Sequence, residues 1–183
     1  MQFTETKLAG AWLIEPTPNL DERGYFMRTF CMAEYARHRL ETAFVQHNVS
    51  YSARQGTLRG MHYQCPPHAE VKVVTCVRGA IFDVIVDVRD GSPTFGDWQG
   101  FELSSANRRQ LYIPTGFAHG FQTLSDDAEV AYLMSEFHAP QAAAGFRYDD
   151  ADVAIQWPLP VTVLSPRDAT LPGFAAAPPV SQP

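Results

Sequence analysis

The sequence predicts a single all-β domain, and three observations support that prediction. Its 183 residues suit one domain, because globular domains typically hold about 100–200 residues. The 12 glycines and 14 prolines are spread along the chain and separate short segments rich in β-branched residues. These segments recur at near-regular spacing, and only one stretch has a clearly helical pattern. Many short strands with so little helix favour a β-sandwich or a β-barrel.

The elements follow in order along the chain. Met32–Leu40 is predicted to be a helix, with Thr29 as its candidate cap. Val71–Val77 and Ala80–Val88 are predicted strands, and Arg78-Gly79 between them favours a hairpin. Four further strands are predicted at Trp98–Leu103, Gln110–Ile113, Ala118–Leu124 and Glu129–Glu136. We expect the domain to span residues 1–172 and a loose, Pro/Ala-rich tail to follow over residues 173–183.

Side-chain alternation identifies the faces of the two central strands. Asp83 and Asp87 share one face of their strand, and four apolar residues share the other. An acidic face on such an apolar strand predicts either a solvated outer surface or a polar barrel lumen. On the preceding strand Lys72 shares a face with Val74 and Cys76, and the pattern alone favours a lysine that points outward into solvent.

Composition excludes several classes of protein. The net charge of -6 and the pI of about 5.4 argue against general affinity for nucleic acid, although the 12 arginines could still hold an anionic small molecule. No stretch approaches the roughly 20 consecutive apolar residues of a membrane span, and the N-terminus lacks the pattern of a secretory signal. The cysteines Cys31, Cys65 and Cys76 are odd in number and widely spaced, so we expect no disulfide framework and a reducing, cytoplasmic setting.

Two segments resemble the paired motifs of the cupin superfamily, which implies a jelly-roll barrel with a few short peripheral helices. The first contains the run His62–Gln64 and then Lys72, and the second contains Pro114–Gly116 and His119. Metal-binding cupins usually place two His and a Glu in the first motif and a third His in the second. Here Gln64 and Lys72 stand at two of those places. A protonated ammonium group cannot ligate a metal, and two His alone are a poor site, so we expect neither metal nor cofactor.

The side chains left at those positions suit proton abstraction next to a carbonyl. An imidazole such as His62 can act as the base, and the ammonium group of Lys72 can stabilise the resulting enolate. Epimerisation also needs an acid on the opposite face of the carbon. Tyr132 is a candidate for that acid, but from the pattern alone a core aromatic residue is the better interpretation of Tyr132.

The run Thr57–Gln64, with the sequence TLRGMHYQ, resembles the signature of the dTDP-4-dehydrorhamnose 3,5-epimerase family. The resemblance covers about residues 3–172 of the chain. Further matching pieces are Asp21–Gly24, Phe44–Asn48, Arg78–Val84, Gly91–Gly96, Ile113–Phe121, Asp149-Asp150, Ile155–Pro158 and Leu164–Asp168. So many ordered matches are more specific than any single short motif.

The resemblance implies a homodimeric enzyme that inverts C3 and C5 of a nucleotide-linked 4-keto-6-deoxyhexose, the usual substrate being dTDP-4-dehydro-6-deoxy-D-glucose and the product dTDP-4-dehydro-L-rhamnose. It implies that His62 is the general base with Asp168 as its dyad partner. It further implies that Tyr132 is the general acid and that Lys72 lies at the C4 oxygen. The positions that hold the sugar nucleotide correspond to Arg23, Phe26, Gln46, Asn48, Arg59, His119, His138 and Arg167.

Several of these residues have a second, purely structural interpretation. The run Ser165–Asp168 is also a helix-capping pattern, and both interpretations can hold together. Arg59 and His62 are three residues apart, so a regular strand would point them to opposite faces, but Gly60 permits a bulge that brings both inward. Asp83 is either a partner of Lys72 or His119, or an acid on the outer face.

The departures from the family pattern lie on the nucleotide side. An acid is usual where Arg28 and Ala143 stand, and Asp is usual where His47 stands. His138 occupies the position of the aromatic residue that stacks on thymine, typically a tyrosine, and its imidazole offers less stacking area. Arg167 replaces a more usual lysine and keeps its charge. These departures question the identity of the nucleotide more than the type of reaction.

Three alternatives stay open from the sequence. The first is an epimerase that acts at one carbon only or on a different nucleotide sugar, which turnover of differently linked 4-keto sugars would identify. The second is a metal-dependent cupin, which would carry stoichiometric metal after purification. The third is a non-catalytic sugar-binding cupin, which would bind its ligand without exchanging C–H for deuterium.

Overall fold

The computed structural model describes residues 1–181 and consists mainly of antiparallel β-strands. The strands are β1 (Gln2–Glu5), β2 (Trp12–Glu15), β3 (Pro18–Asp21), β4 (Gly24–Met27), β5 (Gln46–Ser52), β6 (Leu58–Gln64), β7 (Lys72–Arg78), β8 (Ala80–Asp87), β9 (Trp98–Ser104), β10 (Gln110–Ile113), β11 (Phe117–Thr123), β12 (Ala128–Met134) and β13 (Ala143–Gly145). The helices are α1 (Met32–Arg37), α2 (Pro166–Ala169) and two 3-10 turns at Pro140–Ala142 and Phe174–Ala176.

Two sheets form the body of the molecule. One has six strands in the order β1-β2-β10-β7-β12-β5, and the other has five in the order β13-β6-β11-β8-β9. The strands β3 and β4 form a separate two-stranded hairpin. The all-β prediction is therefore confirmed, and each of the six predicted strands lies within one or two residues of an observed one. No helix within residues 1–181 is both long enough and apolar enough to cross a membrane.

The largest core cluster lies between the two sheets. The six-stranded sheet contributes Val74, Cys76 and Leu111, and the five-stranded sheet contributes Ile85 and Phe121, all at most 2% exposed. Because Val74 and Cys76 face this interior, Lys72 on the same face of β7 also points inward. The interpretation of Lys72 as a solvent-facing residue is wrong, since the residue is 8% exposed.

The odd-numbered residues of β8 face the same interior. Ile81 and Ile85 belong to the cluster between the sheets, while Val84 and Val86 pack in a second cluster on the outer side. Asp83, which alternates with Ile81 and Ile85, is fully buried. Of the two environments that the acidic face allowed, the structure therefore has the polar lumen.

Chain segments cover the outer faces of both sheets. Tyr35 of α1 packs on the six-stranded sheet with Ile14, Val73 and Tyr112. The five-stranded sheet is covered by the C-terminal part of the chain, including Val180, which is 3% exposed. Phe174, Ala177 and Val180 pack on this sheet, so the expected tail is held against the domain at these residues rather than loose throughout. The last two residues of the expected tail lie outside the described residues.

The Arg78-Gly79 turn does not form the expected hairpin. The strand β7 pairs with β10 and β12, whereas β8 pairs with β11 and β9 in the other sheet. Gly79, at φ 74°, therefore turns the chain from one sheet to the other. A tight turn between two apolar strands can join neighbours in one sheet or connect two facing sheets. Here each strand buries one face against the opposite sheet, which favours the connection between sheets.

The observed helix is shorter than predicted, and its cap is a different residue. It begins after Cys31, whose extended backbone places it at the N-cap, so the prediction of Thr29 as the cap is wrong. Phe30 packs edge-on against Tyr35 and thereby fixes the entry of the chain into the helix. The helix ends at Arg37 because Arg39 adopts a positive φ of 59°, which stops further helical hydrogen bonding.

Candidate active site

A cavity of about 730 Å³ opens between the two sheets and contains most of the residues named from the sequence. The six-stranded sheet contributes to its wall through β5, β7 and β12, and the five-stranded sheet through β6 and β11. The segment Val163–Asp168, which includes α2, forms one side of the rim. The candidate site residues in its wall are Asn48, Arg59, His62, Lys72, His119, Tyr132, Arg167 and Asp168.

His62 and Asp168 form a hydrogen-bonded pair at this rim. The His62 Nε2 atom lies 2.7 Å from Asp168 Oδ1, and the Gly60 backbone N–H donates to Asp168 Oδ2 at 3.3 Å. The imidazole side chain is 37% exposed, whereas the carboxylate is 5% exposed. When Nε2 donates its proton to the carboxylate, the other ring nitrogen of His62 carries a free lone pair and can accept a proton.

The helix α2 holds the carboxylate in place. Pro166 occupies its first turn, and Ser165 Oγ accepts a hydrogen bond from the Asp168 N–H at 3.0 Å. The capping interpretation of Ser165–Asp168 is confirmed, together with the proximity to His62 that the dyad requires. Burial alone would raise the pKa of Asp168, but the hydrogen bonds and positive charge it meets outweigh burial and lower the pKa overall. The carboxylate is therefore ionised at neutral pH.

A bulge at Gly60 brings Arg59 and His62 to the same cavity, as the sequence predicted. The pairing of β6 with β11 shifts register at this point: His62 lies opposite His119, and Arg59 opposite Phe121. Gly60 has a φ of 141°, and a Cβ at this position would lie 2.6 Å from the Cα of Gly120. Only glycine satisfies both the conformation and the close approach of the two backbones.

Lys72 is paired with an acid that the sequence reasoning missed. Its Nζ lies 2.9 Å from Glu70 Oε1, and both side chains are at most 10% exposed. Glu70 precedes Lys72 by two residues, so the alternation that placed Lys72 was the available signal for Glu70 as well. The pair places a fixed ammonium group at the cavity wall.

His119 is held by the buried acid on β8. Its Nε2 atom lies 2.7 Å from Asp83 Oδ1, and the His119 side chain is 6% exposed. Of the alternatives left open for Asp83, the structure therefore has the pairing with His119. Asp83 Oδ2 has no hydrogen-bond partner among the described protein atoms, so the hydrogen bond between Oδ1 and His119 is the one side-chain contact described for this carboxylate.

Tyr132 lines the cavity from the sheet opposite His62. Its Oη atom lies 3.1 Å from Ser50 Oγ, and its ring lies edge-on to that of His119 with 6.3 Å between centroids. Burial raises the pKa of Tyr132 well above its usual value, and the hydrogen bond with Ser50 acts in the opposite direction. Tyr132 therefore holds its proton at neutral pH. Ser50 was not identified from the sequence, because no motif singled it out.

A smaller cavity of about 240 Å³ adjoins the first and shares Asn48, His62, Lys72 and Arg167 with it. It is also lined by the remaining candidates Gln46 and His138, together with Glu70 and Ala143. The Gln46 side chain accepts a hydrogen bond from the His138 backbone N–H at 2.9 Å. The two cavities are thus continuous in their lining, as a ligand with a sugar and a nucleotide part would require.

Neither Arg23 nor Phe26 lines either of these two cavities. Both lie on the β3–β4 hairpin, where the Arg23 side chain is 85% exposed and pairs with Asp21, and Phe26 is 74% exposed. Arg28, one of the departures from the family pattern, forms an ion pair with Glu34 at 3.0 Å, away from the main cavity. Within one chain, ten of the twelve candidate residues therefore come together and two do not.

The polar groups of Gln64 are fully used by the backbone. Its amide nitrogen donates to the carbonyls of His68 and Phe137, and its Oε1 accepts from the Ala139 N–H at 2.7 Å. Within residues 1–181, no three His, Cys, Asp or Glu side chains are grouped so as to hold a metal ion. The side chains that line the main cavity are suited to proton transfer, since they include an imidazole and a phenol together with cationic groups.

The chain is similar to proteins of known family. The family model described as dTDP-4-dehydrorhamnose 3,5-epimerase matches residues 5–176. A relative of that name from Methanothermobacter thermautotrophicus is 49% identical over 158 residues, which cover 86% of this chain and 84% of the relative. All the cavity-lining residues described above lie within the region matched by the family model.

Two solved structures are similar over nearly the whole chain. A dTDP-6-deoxy-D-glucose-3,5-epimerase from Legionella pneumophila, in complex with dTDP-4-keto-L-rhamnose, is 41% identical with a TM-score of 0.90, covering 96% of this chain and 93% of that one. ChmJ, a 3'-monoepimerase from Streptomyces bikiniensis in complex with dTDP-quinovose, is 36% identical with a TM-score of 0.86, covering 93% and 86%. These neighbours share the jelly-roll arrangement of two facing sheets described above.

Proposed function

The chain belongs to the dTDP-4-dehydrorhamnose 3,5-epimerase family, and on that basis we propose that it inverts C3 and C5 of a nucleotide-linked 4-keto-6-deoxyhexose. Its substrate is dTDP-4-dehydro-6-deoxy-D-glucose and its product is dTDP-4-dehydro-L-rhamnose. The Legionella neighbour, solved with dTDP-4-keto-L-rhamnose, supports this assignment. The observation that carries the proposal is that His62 and Tyr132 line one cavity from opposite sheets, and that cationic groups line the same cavity.

His62 begins the reaction by taking the proton from the carbon next to the C4 ketone. The C–H electron pair moves into the enolate, and negative charge develops on the C4 oxygen. Asp168 supports this step because its buried charge stabilises the imidazolium that forms. Tyr132, on the other sheet, then donates its proton to the opposite face of the carbon, which inverts the centre. The same two groups serve the second carbon when the ring turns to present it.

Lys72 and His119 stabilise the enolate. The Lys72 ammonium group lies in the wall of both cavities, where its positive charge is little screened by solvent. His119 adds a polar group to the same cavity wall, and its hydrogen bond with Asp83 fixes the orientation of the ring. Arg59 and Arg167 are suited to the diphosphate, because each guanidinium offers a planar pair of donors.

The hairpin residues Arg23 and Phe26 act in a second copy of the chain. We propose a homodimer in which the β3–β4 hairpin of one copy reaches the small cavity of the other and completes the nucleotide site. The hairpin exposes Leu20 at 78% and Phe26 at 74%, and an isolated two-stranded sheet gains little stability by itself. Both facts support a partner that covers the hairpin.

Complementation tests the homodimer. Arg23→Ala and His62→Ala variants are each inactive or nearly so in this proposal. When the two are unfolded together and refolded as a mixture, mixed dimers contain one site with an intact His62 and an intact Arg23 from the partner. Activity then returns to roughly a quarter of wild type for random pairing. A mixture without recovered activity, from proteins that refold to dimers, contradicts the shared site.

Deuterium incorporation tests the reaction itself. The wild-type protein is incubated with dTDP-4-dehydro-6-deoxy-D-glucose in deuterium oxide, and the ring positions that acquire label are identified by NMR and mass spectrometry. Label at both C3 and C5, with formation of the L-rhamno product, is the expected result. Tight binding without label contradicts an enzymatic role and favours a sugar-binding cupin.

A second candidate is epimerisation at a single carbon. The similarity to ChmJ, a 3'-monoepimerase, favours it, because a neighbour at 36% identity shows that the fold also serves that reaction. Label at C3 alone in the same experiment would identify this activity. Parallel reactions with dTDP-, UDP-, GDP- and CDP-linked substrates then assign the nucleotide, on which the departures at His47, His138 and Ala143 bear.

The proposed reaction uses no metal and no cofactor. The support is the donor set, since the Gln64 amide is used by the backbone and Lys72 is paired with Glu70. Dialysis against EDTA followed by assay checks this, and the expected activity is unchanged. Lost activity that returns with one added metal ion would favour the metal-dependent cupin instead.

We also place the enzyme in the cytoplasm. Cys31, Cys65 and Cys76 are free thiols, which persist in a reducing compartment. Cell fractionation with antibodies against the protein checks this location, and recovery in an oxidising compartment would contradict it.

A further inference from the structure

Inversion at two carbons imposes a demand on Tyr132 that one inversion does not. If the proposed function holds, each inversion moves one proton from the substrate to His62 and another from Tyr132 to the substrate. The first inversion therefore leaves a tyrosinate and an imidazolium. The second cannot start until Tyr132 has regained a proton and His62 has lost one. A buried phenol needs a specific route for that return.

Ser50 is in position to supply it. Within residues 1–181, the Ser50 hydroxyl is the one side chain that hydrogen bonds the Tyr132 hydroxyl, at 3.1 Å. The two residues lie on neighbouring strands: Ser50 pairs with Val130 and Tyr132 with Asn48, so the side chains are diagonal neighbours on one face. Both line the main cavity.

The Ser50 hydroxyl has no other hydrogen bond among the described residues, so it is free to turn. It can accept a hydrogen bond from the neutral tyrosine and donate one to the tyrosinate. Ser52, two residues further along the same face, contrasts with it, because Ser52 Oγ already accepts from Arg59 Nε at 3.2 Å. Ser50 also lies on β5, the edge strand of its sheet, and is only partly buried, so cavity water can reach it.

We propose that Ser50 is a positioning residue that acts through Tyr132: it stabilises the tyrosinate left by proton donation and passes a proton from cavity water to it. The Tyr132 O–H bond breaks as the substrate C–H bond forms. The Ser50 proton then moves to the Tyr132 oxygen while Ser50 takes a proton from water. The hydroxide that remains is neutralised by the proton that His62 releases. No electron transfer is involved.

The direction of the pKa shift on Tyr132 agrees with this role. Burial raises the pKa of the phenol and so disfavours the tyrosinate, whereas the hydrogen bond with Ser50 lowers it. Asp83 and Cys76 also raise the pKa of this phenol, and Arg59 lowers it. Among these groups Ser50 is the one in direct hydrogen-bond contact with the phenol oxygen.

The variant Ser50→Ala tests the proposal in deuterium oxide. The enolate formed by His62 can return to substrate by reprotonation from His62 or go forward by protonation from Tyr132. We expect Ser50→Ala to lower the rate of product formation about 10- to 100-fold, the worth of one hydrogen bond to a charged group. Exchange of substrate C–H for deuterium should persist, so the ratio of labelled substrate to product rises by a similar factor, with little change in KM.

Two further variants separate this role from a structural one. Ser50→Thr keeps the hydroxyl and should restore most of the product formation. In the double variant Ser50→Ala/Tyr132→Phe, the loss should be no greater than for Tyr132→Phe alone, because Ser50 acts only through the phenol. Ser105→Ala, at an exposed serine in the turn after β9, is the matched control and should behave as wild type.

Three results would overturn the proposal. One is an unchanged ratio of labelled substrate to product in Ser50→Ala. Another is an equal loss of exchange and of product, which indicates general damage to the site. The third is an additive loss in the double variant. The proposed function fails separately, by a wild-type protein that neither exchanges nor epimerises the substrate.

Discussion

Asp168 serves two neighbours at once. Its backbone N–H binds Ser165 and completes the cap of α2, while its carboxylate binds the imidazole of His62. The two contacts are compatible because they use different atoms: the cap uses the backbone N–H of Asp168, and the contact with His62 uses its carboxylate. Because the cap uses backbone atoms of Asp168, a change of its side chain can alter the imidazole without unfolding the helix.

The variant Asp168→Asn separates these two tasks. An amide cannot stabilise the imidazolium and can favour the wrong tautomer, so we expect kcat to fall about 10³-fold or more with little change in KM. The melting temperature should change by only a few degrees, because the cap is retained. Steady-state kinetics and thermal unfolding measure both quantities. The control is Asp149→Asn at an exposed ion pair with Arg147, and equal kinetics in both variants would remove Asp168 from the mechanism.

We expect the Glu70–Lys72 pair to be needed for activity rather than for the stability of the fold. Removing one member of a nearly buried ion pair leaves an uncompensated charge, so Glu70→Ala should lower the free energy of unfolding by about 3–5 kcal/mol. The double variant Glu70→Ala/Lys72→Met removes both charges and should be more stable than Glu70→Ala alone, yet inactive. Urea unfolding at pH 7 provides the comparison. A double variant less stable than the single one would show that the pair is a net stabilising contact.

At the scale of elements, alternation along each strand decides which side chains meet. On β5 the even-numbered residues from Gln46 to Ser52 face inward, and on β7 and β12 Lys72 and Tyr132 do the same. The strand β6 departs from this rule at Gly60, and that single departure brings Arg59 and His62 to one cavity. The site therefore depends on regular strands and on one irregular position.

Gly60→Ala tests the irregular position. The added Cβ would approach the Gly120 backbone to 2.6 Å, and the φ of 141° is unfavourable for any other residue. We expect a loss of about 3 kcal/mol in stability together with a large loss of kcat, because the strand must move away from β11. Gly91→Ala is the matched control: its φ is also positive, at 70°, but nothing lies within 4 Å of the added Cβ. Equal effects of the two substitutions in urea unfolding would contradict the steric argument.

At the scale of the whole molecule, the sequence predicted the fold class, six of the thirteen described strands and most of the site residues. The β-branched runs between Gly and Pro located six strands, since burial of one face against the opposite sheet requires those residues. The strands β1 to β6 and β13 were not predicted. The strands β1 to β4 and β13 are short and carry no alternation signal, and β5 and β6 lack a continuous β-branched run. The hairpin predicted at Arg78-Gly79 was wrong, because a turn signal does not indicate which sheet the next strand joins.

The contacts between site residues and their neighbours were harder to predict than the site residues themselves. Glu70 contacts Lys72 just before β7 begins, and Ser50 contacts Tyr132 across two neighbouring strands, but no sequence motif marks either contact. Arg23 and Phe26 were named from the family resemblance, but their place on an exposed hairpin depends on tertiary structure. The sequence therefore indicates which residues form the site, whereas the residues that contact them are known only from the folded structure.

Acid stability depends on a buried carboxylate away from the cavity. Asp87 is fully buried and accepts hydrogen bonds from Arg89, Ser92 and Thr94. Burial raises the pKa of Asp87, but these bonds prevail and lower it below the reference value of 3.8. Because the folded pKa is the lower one, its stabilising contribution is fully present above pH 3.8 and is lost as the pH falls through the folded value.

The variant Asp87→Asn measures that contribution. We expect it to be less stable than wild type by about 3 kcal/mol at pH 7, since Arg89 loses its charged partner. The difference should narrow when both proteins are unfolded in urea at progressively lower pH below 3.8, where wild-type Asp87 takes up its proton. A gap that stays constant between pH 7 and pH 2.5 would show that the Asp87 charge does not stabilise the fold.

The two faces of β8 have different tasks, because the odd-numbered residues face the interior between the sheets and the even-numbered residues pack on the outer side. This difference limits which mutations the gene can accept. Substitutions among the aliphatic residues of its even-numbered side only alter packing against the C-terminal cover, and such swaps are commonly tolerated. Inserting or deleting one codon in the strand would instead exchange its two sides downstream of the lesion. The carboxylate of Asp83 would then lie among aliphatic side chains, and His119 would lose its hydrogen-bond partner. The strand can therefore accept aliphatic substitutions on its outer face, but it cannot accept a one-residue insertion or deletion.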